Sequence, residues 1–139
     1  MLTKSISQLI KALNDEITAL PPDVVVVLWT ALSGGDPTCD DTWVGNLTEA
    51  TFGGYARVPL TWVGSPARKG VECISEIKGT LCLFSNTTGP DQVIQGYAVI
   101  SPGSAEPLLW LEAIPSGPIT LFAGQSFAVR PYMSLRSLT

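Results

Sequence analysis

The side chains that could do chemistry are few: 12 acids, eight lysines and arginines, three cysteines and no histidine in 139 residues. Without histidine, Ser-His and Cys-His nucleophilic machinery and most zinc sites are excluded. Asp36, Asp40 and Asp41 gather in the stretch GDPTCDD, and clustered loop carboxylates suit a hard cation such as calcium. Their spacing misses the EF-hand pattern and lacks its late glutamate, so a solvated loop is the ordinary explanation. Glu72 and Glu76 are expected on one face of a strand, a pairing that a glycosidase would need. No pocket signature accompanies them, and an outward polar face accounts for both. No G-x-S-x-G, phosphate-loop or dinucleotide fingerprint occurs. The residues argue against catalysis, and no metal or cofactor is expected.

Trp29, Trp43, Trp62 and Trp110 could form a sugar-stacking platform, but Trp62 falls on the apolar face of its segment, where core or interface packing suits it better. Asn46-Leu47-Thr48 and Asn86-Thr87-Thr88 match the glycosylation acceptor pattern, which is short and common. The cysteines are Cys39, Cys73 and Cys82. A hairpin through 71–84, turning at Lys78-Gly79, would set Cys73 opposite Phe84 and Cys82 opposite Ser75. That diagonal is too long for good disulfide geometry, so both are expected as reduced, buried small hydrophobes of a chain folded inside the cell.

The elements that must position these residues follow from periodicity. Residues 5–20 predict an amphipathic helix, with Ile6, Leu9, Ile10, Leu13, Ile17 and Leu20 on one stripe. Ser5 and Gln8 suit a capping box, and Pro21-Pro22 ends the helix. Lys4 and Lys11 come early and Asp15 and Glu16 late, against the helix dipole, so the helix needs a surface to dock on. That surface is either its own domain or another chain, and the stripe is the candidate partner interface. The β-branched run 24–32 predicts a strand buried on both faces. In 55–63, Ala56, Val58, Leu60 and Trp62 alternate with Tyr55, Arg57, Pro59 and Thr61, predicting a strand with one core face. Further strands are expected over 91–100, 107–114, 119–122 and 125–136. Pro59 and Pro131 lack ladder donors and mark edges or bulges. About eight strands behind one helix predict a mainly β fold, a jelly-roll-like antiparallel sandwich over 23–139 after a helix and hinge over 1–22.

Charged residues make up 14% of the chain against about 25% in a typical soluble domain, which suggests a surface partly covered by a partner. The net charge is −4, and lysines and arginines look scattered along the chain, which argues against nucleic acid. No apolar run approaches the roughly 20 residues of a membrane span, and no signal peptide is read at the N-terminus.

The stretch LWTALSGGDPTCDDTWVGNLTEATFGGYARVPLTW resembles a recurrent pattern in small virion proteins of tailed bacteriophages. Its parts are the apolar opening with Leu28 and Thr30, an acidic loop with proline, Leu47-Thr48-Glu49-Ala50, and Phe52-Gly53-Gly54-Tyr55-Ala56-Arg57. The rhythm continues through Gly96-Tyr97-Ala98-Val99, 108–112 and Gly124-Gln125-Ser126-Phe127. The helix lies outside the pattern. Such proteins include head decoration (cement) proteins and tail-fibre or tail-tip proteins. The resemblance implies a noncatalytic part of the virion, assembled in the host cytoplasm, with the major capsid protein and itself as partners. Capsid geometry favours a homotrimer on the head surface. A tail-fibre or baseplate module is the alternative, and a jelly-roll carbohydrate-binding protein is a further one.

Overall fold

A computed structural model describes residues 4–33, 47–102 and 108–136. Among them the chain is mainly β and antiparallel, with one N-terminal helix, α1 (Ile6–Thr18). The strands are β1 (Val25–Leu32), β2 (Leu47–Glu49), β3 (Val58–Pro59), β4 (Trp62–Arg68), β5 (Ile74–Gly79), β6 (Cys82–Ser85), β7 (Gln92–Ile94), β8 (Gly96–Ile100), β9 (Leu108–Ala113), β10 (Ile119–Leu121), β11 (Ser126–Val129) and β12 (Tyr132–Arg136). They are more numerous and shorter than the expected eight. The observed sheet orders do not establish a jelly roll.

The chain forms two compact units, each built from separated stretches. The helical unit comprises 1–22, 61–81 and 130–139; the all-β unit comprises 23–60 and 82–129. The helix therefore shares a unit with strands from the middle and the end of the chain, rather than standing apart from 23–139. This partition corrects three sequence expectations at once. The single strand over 55–63 is instead β3 and β4, the hairpin over 71–84 is β5 and β6 in different sheets, and the strand over 125–136 is β11 and β12. In 55–63 and 125–136 the alternation runs unbroken across the point where the chain leaves one unit for the other, and in 71–84 that point falls just after the expected hairpin turn. Pro131, without an N–H, sits at one of these breaks, and its carbonyl accepts from Gly79 N at 2.7 Å.

In the helical unit, β5 lies between β4 and β12. Ser75, Ile77 and Met133 are buried on the sheet face that α1 covers with Leu9 and Leu13. Ser75 Oγ donates to the Leu9 carbonyl at 2.9 Å, fixing the helix to the central strand. Ser5 caps α1 in an extended conformation, its Oγ accepting from Gln8 N at 3.3 Å. The first turn has no acid and the last no base, so the helix owes its stability to this packing rather than to its own charges.

In the all-β unit, β1 is central, paired along one side with β8 and along the other with β2 and β3. Val26 through Trp29 are buried in succession, as the β-branched run predicts for a strand covered on both faces. β8 pairs onward with β9, and the short pairs β7–β10 and β6–β11 complete the unit. Gly96 is where the backbone comes closest: a Cβ there would lie 2.6 Å from the Trp29 ring and would also strike the Glu112 carbonyl. Trp29 Nε1 donates to the Tyr97 carbonyl at 3.1 Å, so the tryptophan is core and not a sugar platform.

Candidate interaction surface

Two constellations of polar side chains emerge from the fold, and they differ in whether their groups are already satisfied. The first fills the gap between β2 and β3 along the edge of β1. Tyr55 lies there because residues 50–57 leave β1 and return to it. Its hydroxyl accepts from Leu28 N at 3.2 Å and donates to Glu49 Oε2 at 2.7 Å. Arg57 grips the same carboxylate with Nη2 at 2.9 Å from Oε1 and Nε at 3.1 Å from Oε2. Beside them Tyr55 stacks on Phe84 at a centroid distance of 6.0 Å and meets Phe52 edge-on at 5.3 Å. Burial pushes the Tyr55 hydroxyl well above its ordinary value, and the hydrogen bond to Glu49 adds to the rise. A tyrosine held neutral between an amide and a carboxylate already gripped by arginine is a clasp; its lone pairs and protons are spoken for.

The second lies on the face of the helical unit's sheet away from α1. There β4 bulges between Val63 and Ala67, opening a groove of about 370 Å³. Val63, Ala67, Arg68, Glu76, Lys78 and Arg130 are among the residues that line it. Arg68 braces the following turn, with Nη2 2.6 Å from the Val71 carbonyl and Nε 2.9 Å from that of Glu72. The side chains of Lys78 and Arg130 are exposed and make no hydrogen bond or ion pair among the described residues. Tyr132 on β12 is opposite Lys78, which is opposite Val63 on β4. Val63 is 60% and Tyr132 56% exposed, so an apolar side chain flanks the ammonium stem on either side. This surface offers cations and apolar contact.

No known protein-family model matches the chain, and no curated protein matches it either. The geometry therefore carries the reading.

The residues singled out from sequence fall as follows. Leu9 and Leu13 are buried against the chain's own sheet, while Ile6, Ile10, Ile17 and Leu20 stay half-buried. Glu72 stands in the turn before β5, its N–H donating to the Lys69 carbonyl, so it does not share a strand face with Glu76. The carboxylate pair is thereby dismantled, and Glu76 alone reaches the groove. Cys82 is buried, and burial pushes its thiol up; Cys73 is exposed, against expectation, because it belongs to the turn rather than to a hairpin strand. Asn86 is buried, donating from Nδ2 to the carbonyls of Pro90 and Leu121 at 3.0 Å each, while its Oδ1 accepts from Gly89 N at 2.8 Å. With both amide protons committed, it serves as a loop anchor and not as a glycan acceptor. Asp36, Asp40, Asp41, Cys39, Trp43 and Asn46 lie outside the described residues. Among the described residues no group of three His, Cys, Asp or Glu could hold a metal, and no helix is long and apolar enough to cross a membrane. Sequence reasoning missed the groove because Val63, Lys78 and Arg130 come from three separated stretches, two of them read as unbroken strands and Lys78 as a hairpin turn.

Proposed function

We propose that this chain is a noncatalytic structural protein of a tailed-bacteriophage virion, a decoration (cement) protein that binds the outer head surface as a homotrimer and stabilises it. Its partners in this reading are the major capsid protein and its own copies. The observation that carries the reading is the pattern of apolar side chains left on outward sheet faces. Leu83 on β6 is 58% exposed while Phe84 beside it is buried; Val93 on β7 and Phe122 after β10 are exposed in the same way. A charge-poor chain with aliphatic and aromatic residues on its outer faces suits burial in an interface, where charged residues are depleted at the core. The resemblance over 28–62 supplies the virion context. The half-buried Ile6, Ile10, Ile17 and Leu20 form the part of α1 available to a neighbouring subunit.

Purified protein added to undecorated phage heads, followed by cryo-electron microscopy, tests this. Density at local three-fold positions and heads that withstand higher temperature are expected. Density on the tail alone would overturn the head assignment in favour of a tail module, and no binding to either would sink the virion reading.

A further inference from the structure

The sheet of the helical unit ends in two edges that differ in kind. At one edge, β4 carries devices that discourage strand pairing: a bulge between Val63 and Ala67, Gly64 in the left-handed region, and Pro66 without an N–H. At the other, β12 runs from Tyr132 to Arg136 in unbroken register with β5, and no described strand pairs along its outer side. Neither proline, lysine nor bulge interrupts it between those bounds. The register fixes which backbone groups face outward. Gly79 N donates to the Pro131 carbonyl, so residues 131, 133 and 135 turn their backbone groups toward β5. Tyr132, Ser134 and Arg136 turn theirs away, and all three residues are exposed. Their side chains stand on the open face of the sheet, while Met133 is buried and Leu135 half-buried on the face that α1 covers.

We propose that β12 pairs with β12 of a second copy of this chain, antiparallel about a two-fold axis at Ser134, joining two three-stranded sheets into one of six. The strand's complementarity to itself selects the occupant. Turned about Ser134, the sequence YMSLR sets each Tyr132 opposite Arg136 of the other copy, where guanidinium and ring stack. Ser134 meets its own counterpart, hydroxyl to hydroxyl, and Met133 meets Leu135 on the helix-covered face. No like charges are opposed. The outward amides and carbonyls of Tyr132, Ser134 and Arg136 become the hydrogen-bonded pairs of the new ladder. Met133 of one copy covers what α1 leaves exposed of Leu135 in the other. An edge of 5 residues is small beside the roughly 1,600 Å² of a standard interface, so the contact is weak and concentration-dependent. It goes beyond the decoration role: being two-fold, it joins a copy in one homotrimer to a copy in the next.

Amide hydrogen exchange of the full chain, followed by NMR as concentration rises, reads the pairing residue by residue. The amides of Tyr132, Ser134 and Arg136 are expected to gain protection at least about tenfold toward millimolar concentration, while those of Met133 and Leu135, bonded to β5, are protected throughout. Sedimentation equilibrium should show the mass doubling over the same range. Ser134→Pro removes an N–H that points away from β5, so it should keep its circular-dichroism melt within a few degrees and dimerise at least about tenfold more weakly. Charge tests the register. In Tyr132→Glu the new carboxylate faces Arg136 of the other copy, and dimers should persist. Adding Arg136→Glu opposes like charges at both ends and should weaken self-association at least about fivefold relative to that single variant. The double variant should still bind wild type, whose Arg136 meets the introduced carboxylate. A control on the opposite edge, Ser65→Glu, should follow wild type. A wild type that stays monomeric at millimolar concentration, or that dimerises without protecting the three amides, would overturn the proposal. So would a double variant that self-associates as well as Tyr132→Glu does. Protection of the same amides only on phage heads, in a chain monomeric when free, would overturn self-pairing and give the edge to a strand of the capsid. Dimers that protect the three amides yet fail to bind heads would uphold this contact and remove the decoration role.

Discussion

Tyr55 shows how a single side chain can hold an edge together. Between β2 and β3 the central strand has an amide, Leu28 N, with no strand opposite it, and the tyrosine hydroxyl supplies the acceptor. Replacing Tyr55 with phenylalanine would leave that amide unsatisfied and remove one of the donors to Glu49. Leaving a buried donor unsatisfied costs about 1–3 kcal/mol, so the urea midpoint of Tyr55→Phe should fall accordingly, at unchanged slope. The same residue sets a pH dependence. Its hydroxyl titrates above its ordinary value of 10.0 when folded, so at lower pH both states are protonated and the contribution is fully present. As pH rises past that value the unfolded chain releases the proton first, and stability falls. Urea titrations across this range should show the decline in wild type, with a smaller decline in Tyr55→Phe; equal declines would assign the effect to other groups. None of this was legible beforehand, because alternation over 55–63 places Tyr55 on the solvent side of a strand, whereas the chain there is a loop folded back onto β1.

For elements, the sequence was informative wherever one local period decided the outcome. The stripe of α1 and the Ser5 cap appear as the spacing predicts, and Val26–Trp29 form the doubly covered centre of a sheet. Alternation failed where it could not see which sheet a strand joins. The runs 55–63 and 125–136 satisfy period two throughout and 71–84 reads as a hairpin, yet each divides between the two units. Pairing is a long-range property, and only the prolines, Pro59 and Pro131, left a local trace of a break. The groove was illegible for the same reason, since Val63, Lys78 and Arg130 meet only once β4, β5 and the segment before β12 are assembled. The helix offers a graded test of its docking. Leu13 is fully buried and Ile10, on the same stripe, only half-buried. Leu13→Ala should cost about 2–5 kcal/mol in urea unfolding, and Ile10→Ala distinctly less. Equal costs would mean that the stripe is used more evenly, with a second surface reaching Ile10.

For the whole molecule, the low charge content and the exposed apolar side chains ask to be separated from mere tolerance. Singly exposed hydrophobic residues are normal on any protein, so exposure of Leu83, Val93 and Phe122 acquires meaning only through what it does in assembly. Stability and binding respond to these residues through different physics. Each sits on an outward face beside a buried neighbour: Leu83 beside Cys82 and Phe84, Val93 beside Ile94, and Phe122 beside Leu121. A polar replacement therefore opens no cavity and strands no hydrogen bond, and surface changes of this kind stay within about 0.5 kcal/mol of neutral. At the centre of an interface the same replacements remove apolar contact and bury a polar group, and anchor residues there commonly cost more than about 1 kcal/mol each. Leu83→Gln, Val93→Gln and Phe122→Gln should thus melt within a few degrees of wild type, while on the proposed decoration role at least one weakens attachment to heads about tenfold. The measurement is a paired one, thermal denaturation of each free variant against its head occupancy in a sedimentation assay. Loss of stability without loss of occupancy would place these side chains in packing rather than partnership. Three variants indistinguishable from wild type in both readouts would remove the outward apolar residues as the basis of assembly.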